Sequence, residues 1–189
     1  MRLAIFGGTF DPVHNAHLAV AREGARKFQL SRVLFVPAAR PPHKSSGTHA
    51  GYEDRYRMVE IACRDEPLFE ASRLEAGAEN SYSIRTIENV RATLDPADEL
   101  FFLIGADAFA EIRTWRRWQD VLKSVQFVVV RRPGVQYDIP AGARVHTLDT
   151  LELPVSSSEI RRKLAAGDYR VEVAAAVLRY IRERGLYRQ

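Results

Sequence analysis

Two histidines, His14 and His17, stand behind a pair of glycines in the stretch Gly7-Gly8-Thr9-Phe10-Asp11-Pro12-Val13-His14-Asn15-Ala16-His17-Leu18. If Asn15 caps a helix, the two imidazoles lie one helical turn apart and can donate hydrogen bonds to the same phosphate. Glycines let a ligand approach the backbone closely, and the first turn of a helix offers unpaired N–H groups at its positive dipole end. A lone histidine at a helix start, or a lone Gly-Gly turn, has an ordinary structural explanation. Both together, directly after a strand, point to phosphate chemistry. A helix N-terminus disfavours imidazolium, so both histidines should have low free pKa values that a bound polyphosphate would raise. The stretch is neither a P-loop nor a dinucleotide fingerprint, since it has no G-x-x-x-x-G-K-[ST] and no G-x-G-x-x-G.

A second set of phosphate-binding types lies near the other end of the chain. Ser156-Ser157-Ser158-Glu159 has the form of a capping box, which accounts for Ser156 and Glu159 and leaves Ser157, Ser158 and Arg161 at a helix start. Hydroxyls, free N–H groups and a guanidinium can clasp a second phosphate cluster there. Lys44 sits on a proline-rich loop, where solvent exposure and ligand binding explain it equally well. Asp107 follows the most apolar strand and is placed where ligands bind in an open α/β sheet. Trp115 and Trp118, three apart, read first as core.

The elements that must position these groups follow from periodicity. Apolar runs at Leu3–Phe6, Val33–Val36, Leu100–Ile104 and Phe127–Val130 read as buried strands, with further strands beginning at Leu68 and spanning Arg144–Leu148. Leu18, Ala21, Ala25 and Phe28 recur at helical spacing, so the chain opens on a right-handed βαβ crossover and a parallel sheet. Helices are expected over about 52–64 and Ser83–Leu94, from Ser156 onward, and through Val173, Val177, Tyr180 and Ile181 to a stop at Gly185. Trp115-Arg116-Arg117-Trp118 reads as short and helical, and residues 37–51 as a long loop.

At 189 residues with 46% hydrophobic content, one domain with a sizeable core is expected. Residues 150–189 should form its C-terminal helical part. A single cysteine, Cys63, excludes an intrachain disulfide. No apolar run approaches the roughly 20 residues of a membrane helix. These features fit a soluble cytoplasmic protein with no membrane association. The net charge of +4 suits an anionic ligand, but arginines are scattered along the chain, so a solvated basic surface accounts for it at least as well as nucleic-acid binding does, and no nucleic-acid partner is expected.

GGTFDPVHNAHL resembles the GG[ST]FDP-x-H-x-GH signature of the nucleotidyltransferase superfamily, and Ser156-Ser157-Ser158-Glu159-Ile160-Arg161 resembles its ISSTxIR motif. PPHK at 41–44, Ser81-Tyr82-Ser83, GADAF at 105–109, Thr114-Trp115 and the terminal VLRYIRERGLY resemble the bacterial nicotinate-nucleotide adenylyltransferase family over nearly the full length. The resemblance implies a Rossmann-like α/β fold, mostly parallel with helices on both faces. It also implies the reaction of ATP with nicotinic acid mononucleotide to give deamido-NAD and pyrophosphate in NAD biosynthesis.

By the matching motif positions, Gly7, Gly8, Thr9, Phe10, His14, His17, Gly105, Asp107, Ser157, Ser158 and Arg161 would bind ATP. His14, His17, Lys44 and Arg161 would act in catalysis. Lys44, Tyr82, Ser83 and Trp115 would bind the nicotinate nucleotide, with Trp115 stacked on the pyridine. Mg2+ would arrive on the ATP phosphates without protein ligands, and a homodimer is left open. Ala16 stands where the family usually has glycine, and Ser83 and Ser158 stand in place of threonines. The alternatives are a nicotinamide mononucleotide or phosphopantetheine adenylyltransferase, or a non-catalytic nucleotide-binding protein.

Overall fold

The computed structural model describes residues 1–40, 47–149 and 155–188. The chain runs β1 (Arg2–Gly8), α1 (Asn15–Lys27), β2 (Arg32–Pro37), α2 (Tyr52–Cys63), β3 (Phe69–Ala71), α3 (Ser83–Arg91), β4 (Glu99–Gly105) and α4 (Ala106–Ala110). After a 3-10 turn at Ile112–Thr114 come α5 (Trp118–Ser124), β5 (Gln126–Val130), β6 (Arg144–Leu148), α6 (Ser157–Ala165) and α7 (Ala175–Arg184).

The six strands are parallel in the order β3-β2-β1-β4-β5-β6. The chain winds outward in one direction from β1 to β3 and in the other from β4 to β6. The switch between β1 and β4 leaves a crevice at their carboxyl ends, where ligands bind in such sheets. Gly7 and Gly8 end β1 and Gly105 ends β4.

Alternation along the strands gives the sheet two buried faces. Ala4, Phe6, Val33, Phe35, Phe101, Leu103 and Val128 turn to a core filled by α1, α2, α6 and α7. Leu3, Ile5, Leu34, Phe102, Ile104, Phe127 and Val129 turn to a second core filled by α3, α4 and α5. A parallel α/β sheet with helices on both faces is therefore what the apolar runs predict and what the chain forms. Ile160, Leu164, Val177 and Ile181 of the C-terminal helices enter the same core as Ala4 and Phe6.

Helix ends depart from the periodicity for local reasons. The helix from Ser83 stops at Arg91, before Leu94, because the Thr93 N–H and hydroxyl both turn back to the Val90 carbonyl. The final helix starts at Ala175, leaving Val173 in a tight turn closed by its own N–H to Val171. The Trp115–Trp118 region is not one helix. Trp115 is extended after the 3-10 turn, and Arg117 is left-handed at the start of α5. The five-residue α4 is too short to carry a periodic signal.

Candidate active site

His14 is the N-cap of α1, in extended conformation, and Asn15 is the first helical residue. The expected arrangement, with Asn15 as cap, is thus displaced by one residue. The reason is visible in the hydrogen bonds. The His14 carbonyl already accepts the N–H groups of His17 and Leu18, while the Asn15 N–H is taken by the Glu172 carbonyl. The two imidazoles stack with ring centroids 3.7 Å apart.

The backbone N–H of His14 donates to Nδ1 of His17 at 3.2 Å. An accepting Nδ1 puts the proton of a neutral His17 on Nε2, leaving that nitrogen as a donor. Both histidines are held uncharged. Burial, then the positive charge of Arg132, lowers His14 from 6.5 to about 4. Burial, His14 and Arg132, in that order, hold His17 well below its ordinary value. The direction agrees with expectation, but the leading cause is burial rather than the helix end.

The two glycines differ in purpose. A Cβ on Gly8 would meet the Phe10 ring at 2.9 Å, whereas one on Gly7 would come no nearer than 3.6 Å to Phe102. Gly8 is therefore required by internal packing, and Gly7 is the exposed one at the crevice. Phe10 adopts a left-handed backbone (φ 49°) and buries its ring edge-on to Phe6 and His17. Thr9 offers its carbonyl to the buried Arg55, at 2.7 Å.

The second helix start docks directly on this loop. Arg161 donates to the Asp11 carbonyl at 2.7 Å and to Ser158 Oγ at 3.2 Å, and Ser157 Oγ donates to the Pro12 carbonyl at 3.0 Å. Ser156 caps α6 by accepting from the Glu159 N–H, which is one half of the expected capping box; the reciprocal bond from the Ser156 N–H to the Glu159 carboxylate is not formed. The Glu159 carboxylate lies 3.6 Å from Lys163 Nζ, four residues on in the same helix. Two segments nearly the whole chain apart in sequence thus form one wall, with His14, His17, Ser158 and Arg161 along it.

Asp107 lies in the first turn of α4 and pairs with Arg132 at 3.1 Å. On the far side, Tyr82 caps α3, Ser83 begins that helix, and half-buried Trp115 packs its edge on Phe102 with centroids 5.9 Å apart. The guanidinium groups of Arg116 and Arg85 stand 4.8 and 5.8 Å from the centroid of the Tyr82 ring. Ser81 exchanges hydrogen bonds with Arg40, tying this side to the end of β2. Lys44, which the sequence places on the intervening loop, lies outside the described residues.

Three residues escaped the sequence reading. Asp11, 1% exposed, accepts from the N–H groups of His49 and Ala50 and from the Tyr187 hydroxyl. Arg55 is fully buried and also holds the Ala50 carbonyl. Arg132 passes for an ordinary turn residue in Arg132-Pro133-Gly134. A charged residue at a buried helical position, as Arg55 is between Tyr52 and Val59, was the one available signal.

The donors along this wall suit anionic oxygen, not a cation. Among the described residues there is no cluster of three histidine, cysteine or carboxylate side chains able to hold a metal. Asp11 already accepts from three donors, and the exposed Asp107 pairs with Arg132. No described helix is long and apolar enough to cross a membrane.

Known proteins resemble this one along its length. The cytidylyltransferase-like family profile matches residues 5–163. A probable nicotinate-nucleotide adenylyltransferase of Solibacter usitatus is 63% identical over 187 residues, covering 99% of this chain and all of that protein. Another bearing the same description, from Thermus thermophilus, is 43% identical over the full length of both. Among solved structures, Plasmodium falciparum nicotinic acid mononucleotide adenylyltransferase complexed with NaAD superposes with a TM-score of 0.80, covering 98% of this chain and 97% of that one, at 20% identity. That likeness establishes the Rossmann-like nucleotidyltransferase fold.

Proposed function

The chain belongs to the cytidylyltransferase-like family and, within it, to the nicotinate-nucleotide adenylyltransferases, and we propose that it joins nicotinic acid mononucleotide to ATP, releasing pyrophosphate and forming deamido-NAD. The observation that carries the reading is the docking of α6 on the histidine loop through Arg161 and Ser157, which sets two helix starts around one place for a triphosphate. The enzyme needs no nucleophile of its own. The phosphate of the mononucleotide attacks the α-phosphorus of ATP, one P–O bond forms as the bond to the bridging oxygen breaks, and pyrophosphate takes the electron pair.

In this reading His17 Nε2–H and His14 donate to oxygens on which charge grows, without carrying charge themselves. Arg161 and Ser158 hold the outer phosphates, Lys44 assists, and backbone from Gly7 to Phe10 lines the approach. Gly105 and Asp107 take the adenosine ribose. Magnesium would enter as part of the substrate, with ATP oxygens supplying most of its coordination. Trp115 stacks on the pyridine beside Tyr82 and Ser83. Arg85 and Arg116, flanking Tyr82, favour a pyridine carboxylate over an amide. The lone, buried Cys63, its thiol pushed up to about 12 by burial and then by Glu66 and Glu70, is inert and compatible with a reducing cytoplasm. Residues 1–189 act as a single domain.

Pyrophosphate release from Mg-ATP, measured side by side with nicotinic acid mononucleotide, nicotinamide mononucleotide and phosphopantetheine, tests the reading. Release should be fastest with the first. Equal or faster release with either of the others would overturn the substrate assignment.

A further inference from the structure

Arg55 is the largest of the fully buried side chains, and from α2 it reaches two loops at once. Its Nη1 donates to the Thr9 carbonyl at 2.7 Å and its Nε to the Ala50 carbonyl at 3.2 Å. The Asp11 carboxylate accepts the Ala50 N–H at 3.1 Å, and the Asp11 carbonyl accepts Arg161. Thr9, Asp11, Ala50 and Arg55 are thereby closed into one ring of contacts, directly ahead of His14 in the chain.

A buried position on a helix is ordinarily filled by an apolar side chain. Burying a guanidinium there costs solvation, and Nη2 of Arg55 is left without a hydrogen-bond partner among the described residues. What the arginine supplies is direction. The Thr9–Phe10 peptide is trans, so its C=O and N–H point in opposite directions. With the Thr9 carbonyl drawn to the buried Arg55, the Phe10 N–H points away from it, and none of the described residues accepts that N–H. The Phe10 ring, packed on Phe6, Phe35 and His17, fixes the other end of the same peptide. Left-handed backbone at a phenylalanine, here with φ 49°, persists only where its surroundings over-determine it.

We propose that Arg55 is a positioning residue for adenylyl transfer. By holding the Thr9 carbonyl it aims the Phe10 N–H at the phosphate oxygens on which charge grows, as a donor that needs no reorganisation during the reaction. Arg55 itself touches no substrate. The inference rests on the adenylyl-transfer reading above.

The test compares Arg55→Met, which fills the position without a donor, with Arg55→Lys, which keeps the charge but not the fork that spans both carbonyls. Arg57→Gln, exposed on the same helix and paired with Glu60, is the control and should match wild type. For deamido-NAD formation, kcat should fall by about tenfold or more in Arg55→Met, with Arg55→Lys between it and wild type. The KM for the mononucleotide should stay within about twofold in both. In wild-type protein carrying isotope-labelled phenylalanine, the Phe10 amide proton should move downfield when a non-hydrolysable ATP analogue binds with magnesium, and the move should shrink in both variants at saturation. A purely structural role would shift the urea midpoint and leave that amide signal and the kcat of the folded protein unchanged. Arg55→Lys retains the buried charge beside Asp11 and decides the matter where Arg55→Met does not fold. Turnover within twofold of wild type in either variant, or a wild-type Phe10 amide that does not respond to the analogue, would overturn the proposal and leave the adenylyl-transfer reading standing. A wild-type protein that forms no deamido-NAD would overturn that reading and this inference with it.

Discussion

The Tyr187 hydroxyl donates to the Asp11 carboxylate at 2.7 Å, fastening the C-terminal end of the chain to the loop that carries His14. Burial, then Asp11, raises the phenol well above its ordinary range, so it remains a donor at any physiological pH. Asp11 has two further donors in the N–H groups of His49 and Ala50, and it stays buried when one is lost. Tyr187→Phe should therefore lower stability by about 1–3 kcal/mol, read as a shift in urea midpoint at unchanged slope. A midpoint equal to wild type would show that the contact holds nothing.

The two glycines should separate on substitution. Gly8→Ala drives a Cβ into a Phe10 ring already wedged against Phe6, Phe35 and His17, with no room to retreat. A loss of about 1–3 kcal/mol is expected from overpacking. Gly7→Ala meets only ordinary contact and should stay within about 0.5 kcal/mol in the same denaturation measurement. Equal losses would contradict the division between packing and access.

His17 has a structural task, accepting the His14 N–H, and in the proposed reading a chemical one, and two variants can tell them apart. His17→Ala should lower kcat by about a hundredfold, the scale of a lost transition-state donor. His17→Asn leaves an oxygen to accept the His14 N–H, so it should melt closer to wild type while its kcat stays as low as that of the alanine variant. Turnover restored by asparagine would assign His17 to loop structure alone.

Stability should also depend on pH through His14. Its folded pKa, about 4, lies below the ordinary 6.5, so the unfolded chain takes up the proton first as pH falls. The stabilisation is complete above 6.5 and is lost progressively from there toward pH 4. Urea midpoints of the wild type should drop between about pH 7 and pH 5, and His14→Gln should flatten that drop. Parallel pH profiles would mean that His14 is not held neutral by the fold.

The architecture was legible because the apolar runs at Leu3–Phe6 and Leu100–Ile104 have strand length and are buried on both faces, which only a covered parallel sheet permits. The histidine and serine clusters were legible for a similar reason, since both mark helix starts with local signatures. Contacts made across long stretches of chain were not. Nothing near Asp11 announces Tyr187 or Arg161, and nothing near Arg132 announces Asp107, because each pairing is created by strand register and helix docking. The N-cap shifted from Asn15 to His14 for the same reason, as the distant Glu172 carbonyl takes the Asn15 N–H.

The central claim is that the α-phosphorus of ATP passes to the phosphate of nicotinic acid mononucleotide at the wall formed by α1 and α6. ATP labelled at that phosphorus, incubated with magnesium, the mononucleotide and the protein, tests it most directly. The account predicts label in deamido-NAD and unlabelled pyrophosphate in equal amount. Label recovered as AMP, or left in ATP, would contradict it.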